Sequence, residues 1–238
     1  HWQLYHYVRQ SEGISKAIGA GAGARDLPGR WAVRASFYLV PLTSFLTMAQ
    51  VPQRFFLGFA VWLPTLPTWF VAALWIVTCG FLLAAAFELS RTSKAGGVNA
   101  AYLQYLVSHF ALFILAYAVI RDVVLSWLMA NIWHNTQYLR FVHRTNQQRF
   151  NKGPEPKRAR VLSILSQPRM AVVYFLFCLA VTAVVYSGLA DFVAWMTAQG
   201  QLDALLIAAV VYQTVNFHHY IVDAIIWRRP RMPVRSRP

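Results

Sequence analysis

The chain alternates apolar stretches about as long as a bilayer is thick with short runs that hold nearly all of its charge. Crossing roughly 30 Å of hydrocarbon takes ~20 apolar residues as helix. Stretches near residues 35–50, 66–89, 100–120, 122–143, 170–190 and 203–227 approach or exceed that length. Backbone surrounded by lipid must satisfy its own hydrogen bonds, so such segments are helices. With 58% hydrophobic and only 13% charged residues, the composition indicates the same class. The expectation is an all-α, polytopic integral membrane helical bundle of about six to seven transmembrane helices. Pro41 lies in the first and shortest stretch, which predicts a tilted, broken or partly re-entrant span there. Residues 1–10 read as the lower end of a further helix, with an N-terminal portion expected before His1.

The formal net charge of +14 invites a nucleic-acid reading, but the placement of the basic residues argues for topology instead. Arg9, Lys16, Arg25, Arg30 and Arg34, then Arg91 and Lys94, then the run from Arg140 to Arg169, then the tail from Arg228 to Arg237 all fall on one side of a six-span arrangement. The opposite side receives Arg54 and Arg121. This positive-inside pattern predicts a cytoplasmic C-terminus, in a bacterial inner membrane, with the bilayer itself as the main partner. The basic runs contain no nucleic-acid-binding module, so no nucleic-acid partner is expected.

Residues 1–238 read as a single transmembrane helical domain. Residues 10–34, with Gly19, Gly21 and Gly23 and the Pro28–Gly29 pair, read as a flexible connector. Residues 146–168 read as a basic cytoplasmic loop interrupted by Pro154 and Pro156, with Val161 to Leu165 on the membrane surface. Residues 228–238 form a basic cytoplasmic tail. Cys79 and Cys178 fall inside apolar stretches, where a small buried hydrophobe is the expected role.

Against this background the histidines stand out, because ionisable side chains within a membrane are costly and commonly functional. His6 lies three residues before Arg9, His134 six before Arg140, and His218 and His219 nine to ten before Arg228. At 1.5 Å per residue these spacings place the imidazoles roughly 5–15 Å above one membrane boundary. Three helices can therefore bring them to a common level, as a metal site requires. Each has a polar neighbour on its helix face. Gln10 follows His6 by one turn, Gln137 and Tyr138 follow His134, Asn131 precedes it, and Asp223 follows His219 at i, i+4. His109 reads instead as a core histidine hydrogen-bonded across helices, and His143 as an interfacial residue among Arg140 and Arg144. His1 is a possible extension of the site.

The ending VNFHHYIVDAIIWRRP resembles the last helix of bacterial carotene-cleaving dioxygenases of the Brp/Blh type, with His218 and Asp223 at the matching spacing. NIWHNTQYLRFV resembles that family's middle motif at His134, and HWQLYHYVRQ occupies the place of its first motif, with His6 as counterpart. The sequence departs from the pattern at Tyr138, where the family carries a second histidine, and at Val8 and Gln10, where it carries glycine and aspartate. The resemblance implies a non-haem Fe(II) site that uses O2 as co-substrate on a long apolar small-molecule substrate such as a carotenoid. His6, His134, His218 and His219 are then the candidate metal ligands, and Asp223, Tyr138 and Gln137 the candidate catalytic or orienting groups. Two other classes stay open: a haem- or pigment-binding subunit of a larger membrane complex with partner subunits, and a transporter or proton-path protein using His219, Asp223, Arg121 and Asp122.

Overall fold

The structure, a computed structural model, describes residues 2–21, 30–52, 55–56, 59–60, 63, 65–94, 98–154, 159–198, 210–211 and 214. Its helices are α1 (Trp2–Gly21), α2 (Trp31–Ala49), α3 (Thr68–Lys94), α4 (Ala100–Phe113), α5 (Val123–Arg149), α6 (Arg160–Leu165) and α7 (Ala171–Ala198). A two-residue strand pair, Phe55–Phe56 with Phe59–Ala60, lies between α2 and α3, and α4 continues as π-helical turns over Ile114–Ile120. Four stretches among the described residues are long and apolar enough to cross a membrane: Trp31–Ala49, Thr68–Ser93, Ala100–Ile120 and Pro168–Ala198. The stretch near 122–143 is helical within α5, but its Asn, Gln, His and Arg side chains leave it outside that set. The stretch 203–227 lies largely outside the described residues.

Three local readings change. Residues 10–21 of the expected connector belong to α1 and 31–34 to α2, while 22–29 lie outside the described residues. Local pairs and cross-helix contacts together outweigh the glycine content of α1: Glu12 is 1% exposed, paired with Arg9 and Lys16 on its own helix and with Arg34 and Tyr38 of α2. The loop expected over 146–168 is shortened at one end by α5, contains α6, and is followed by a 3-10 turn that starts at its last residue, Pro168–Met170. The last apolar helix also runs eight residues past the expected 190, to Ala198, as no Gly or Pro interrupts 189–198.

The chain falls into two compact units, His1–Thr136 and Gln137–Pro238. In the first unit α2 is the central element. Ala32, Val33 and Phe37 pack with Ala85 of α3 and with Tyr102 and Leu106 of α4. Val40 and Met48 pack with Tyr7 and Val8 of α1, with Phe113, Ala116 and Tyr117, and with Ala130 of α5. Small and hydroxylated residues let α3 approach closely. Thr43 and Thr78 share a 2.8 Å hydrogen bond, and Trp75 Nε1 donates to Thr47 Oγ1 at 2.9 Å. Ser36 and Thr47 donate to their own helix at the Ala32 and Thr43 carbonyls.

Pro41 does not break α2. Proline has no N–H to give the carbonyl four residues earlier, so the Phe37 oxygen needs another donor. It receives His109 Nε2 at 3.2 Å. The other ring nitrogen, Nδ1, is 2.9 Å from Ser11 Oγ, which also contacts the Tyr105 hydroxyl at 2.8 Å. His109 is therefore the cross-helix core histidine that its position suggests.

At the turn into α5, Arg121 adopts a left-handed conformation with φ 57°. Asp122 Oδ1 then accepts from the Val124 and Leu125 amides, capping α5. In the second unit His143 is buried, with Nε2 3.2 Å from the Leu165 carbonyl and its ring 4.8 Å from Tyr174. α7 is apolar on all faces and buries only Tyr174, while Val172 and Val184 are more than 70% exposed. Such a surface suits hydrocarbon rather than water. Cys79 and Cys178 are free thiols in apolar helices, as expected over a disulfide, but Cys79 is exposed and Cys178 partly so rather than buried against protein.

Candidate functional site: a buried histidine pair

Of the four histidines proposed as ligands, the structure brings two together. His6 on α1 and His134 on α5 are buried, and their ring centroids are 4.9 Å apart with the planes at 64°. Two imidazoles bound to one metal at ~2.1 Å have centroids roughly 4.5–5.3 Å apart, for bond angles between octahedral and tetrahedral. The observed separation lies in that range, and equally in that of an edge-to-face ring contact. His218, His219 and Asp223 lie outside the described residues, as does His1. Among the described residues no group of three His, Cys, Asp or Glu side chains is placed to hold a metal.

The pair is braced from both helices. Tyr7, next to His6, packs its ring 4.5 Å from that of His134, and its hydroxyl donates to Asn131 Oδ1 at 3.0 Å. Asn131 lies one turn before His134, so this bond ties α1 to the face of α5 that carries the histidine. Gln3 Nε2 donates to the same hydroxyl at 2.5 Å. One turn after His6, the fully buried Gln10 donates from Nε2 to the His134 backbone carbonyl at 3.2 Å. That acceptor fixes the amide orientation, because only the nitrogen can donate. The Gln10 Oε1 is consequently a buried acceptor with no hydrogen-bond donor among the described residues. Leaving such an oxygen unsatisfied costs about 1–3 kcal/mol, so its position favours an added donor beside the pair.

Gln137 and Tyr138, further along α5, are half-buried. The Gln137 Oε1 likewise meets no donor among the described residues. Tyr7 and Glu12 were not singled out by the sequence. Tyr7 reads as one aromatic among many, whereas the i, i+4 spacing of Glu12 and Lys16 was a usable signal.

A second feature of α1 is separate from the histidines. An apolar groove of about 310 Å³ lies between α1 and α2, with Leu4, Tyr5 and Val8 on one wall and Tyr38, Pro41 and Phe45 on the other. At 100° per residue, Leu4 and Val8 point roughly 160° away from His6 around the helix. The groove is therefore on the opposite side of α1 from the pair.

No family model, curated protein or solved structure matches the chain.

Proposed function

We propose that the chain is an integral membrane, histidine-ligated non-haem iron oxygenase that acts with O2 on a long apolar molecule of the lipid phase, such as a carotenoid. The observation that carries this reading is the 4.9 Å approach of two buried imidazoles from helices more than a hundred residues apart in sequence. His6 and His134 supply two ligands, and His218 or His219, with Asp223, completes the set. Iron(II) on neutral imidazoles with open positions supplies the capacity to bind and activate O2.

The chain's own residues support that chemistry in specific ways. Gln10 anchors the α5 backbone at His134 and offers Oε1 to a donor beside the pair. Tyr7 buttresses the His134 ring and is itself locked by Asn131. Gln137 and Tyr138 orient groups further along α5. The outward apolar faces of the spanning helices let a substrate reach the protein from the bilayer without crossing water. In this reading the 122–143 and 203–227 stretches join the four apolar helices to make six to seven spans. The C-terminus is cytoplasmic, in a bacterial inner membrane.

The test is elemental analysis of detergent-purified protein produced with ample iron, together with its absorption spectrum and an organic extract. Expected are stoichiometric iron, loss of iron in His6→Ala and His134→Ala, and retention in His143→Gln. Protein that holds no transition metal, or a His134→Ala variant that keeps its iron, overturns the proposal. A bound tetrapyrrole would do the same.

A further inference from the structure

The groove between α1 and α2 ends at a cluster of charge. The two helices run antiparallel, since Glu12 meets Arg34 and Tyr38 while Leu4 and Val8 face the later part of α2. Tyr38 joins the two features. Its ring is part of the groove wall, and its hydroxyl donates to Glu12 Oε2 at 2.6 Å.

Around that single buried carboxylate stand three cations. Lys16 Nζ is 2.5 Å from Oε1, Arg34 Nε 3.2 Å from Oε1, and Arg9 Nη1 3.1 Å from Oε2. Glu12 is 1% exposed, whereas Arg9, Lys16 and Arg34 are 54%, 38% and 55% exposed. One carboxylate thus gathers three cations at one point and leaves two positive charges in excess, facing outward. Arg34 sits in the first turn of an apolar span whose first residue, Trp31, is exposed. Tryptophan at that place is characteristic of the membrane–water boundary. From Tyr38 the groove wall continues to Ala49, roughly 16 Å along the α2 axis.

A cation cluster at the boundary with a hydrocarbon groove leading inward has the polarity of an anionic amphiphile. We infer that this is a binding site for an anionic phospholipid of the bilayer, with its phosphate at Arg9, Lys16 and Arg34 and one acyl chain along Pro41, Leu42, Phe45 and Leu46. Charge complementarity selects the occupant. A zwitterionic lipid brings its own cation to a place that already has an excess, and an apolar protein segment leaves the cations unanswered. Glu12 acts as the positioning residue that keeps the three cations converged without touching the lipid. The site lies across α1 from the histidine pair and does not depend on any activity there.

The experiment is lipid retention on delipidated, detergent-purified full chain, read by native mass spectrometry. The probes are dioleoylphosphatidylglycerol and dioleoylphosphatidylcholine. Inorganic phosphate is tested in parallel by thermal unfolding. Expected is preferential retention of the phosphatidylglycerol, reduced about fivefold by Arg34→Gln and about tenfold by Leu42→Trp, which fills the groove without altering a charge. Should Arg34→Gln not yield monodisperse protein, Lys16→Gln carries the same expectation. Equal retention of the two lipids overturns the inference. So does unchanged phosphatidylglycerol retention in Leu42→Trp, or a thermal shift produced in full by inorganic phosphate.

Discussion

His109 donates to the one carbonyl of α2 that Pro41 leaves without its helical partner, the oxygen of Phe37. A proline and a histidine 68 positions apart in sequence thus act as one device. The first opens a helix at a point inside the bundle, and the second closes it from a neighbouring helix.

That coupling is measurable. His109→Leu leaves the Phe37 oxygen unsatisfied and is expected to destabilise the protein by about 2 kcal/mol. In a Pro41→Ala background residue 41 regains its N–H, and the same substitution is expected to cost about 1 kcal/mol less. A double-mutant cycle by denaturant unfolding in detergent checks this, and strict additivity would show that the two residues act independently.

Gln10→Leu removes both the donor to the His134 carbonyl and the buried Oε1. If the pair holds metal, affinity is expected to fall by about tenfold or more, while far-UV circular dichroism stays unchanged. Metal competition with a chromogenic chelator reads the difference.

Burial works to raise the Glu12 pKa, but the Lys16 and Tyr38 hydrogen bonds and the charges of Lys16 and Arg34 outweigh it and hold the carboxyl below its ordinary 4.5. A depressed carboxylate contributes stability that is fully present above the ordinary value and is lost as pH falls through the folded value. Unfolding midpoints between pH 7 and pH 3 are expected to drop more steeply below 4.5 in the wild type than in Glu12→Gln. Parallel curves would remove Glu12 as the source.

Tyr102 is buried completely, and its hydroxyl has no hydrogen-bond partner among the described residues. Replacing it with Phe removes an unsatisfied group and keeps the packing against Phe37 and Leu106. Tyr102→Phe is therefore expected to raise stability by about 1 kcal/mol, seen as a higher unfolding midpoint.

The parts of the fold legible in the sequence are those set by local composition. Apolar runs mark α2, α3, α4 and α7, each part of a stretch long and apolar enough to cross a membrane. The approach of His6 and His134 followed from comparing depths, since both are counted from nearby arginines. What escaped depends on contacts between distant segments. Residues 10–21 look like a linker because glycines dominate the local signal, yet Ser11 meets His109 and Glu12 meets Arg34. Pro41 suggests a break, and nothing near it in sequence announces the donor that preserves the helix. α5 covers most of the apolar stretch expected at 122–143, but nothing local announces that Asn131 and His134 on it meet Tyr7 and His6 of α1.

Ser36 and Thr47 spend their hydroxyl protons on carbonyls of their own helix. Thr43 on the same helix differs, because it gives its proton to Thr78 of α3, whose own proton goes to the Leu74 carbonyl. The Thr47 oxygen keeps a lone pair, and Trp75 of α3 donates to it. One hydroxyl thus works within α2 and between α2 and α3, so a single side chain belongs to the local and the tertiary structure at once.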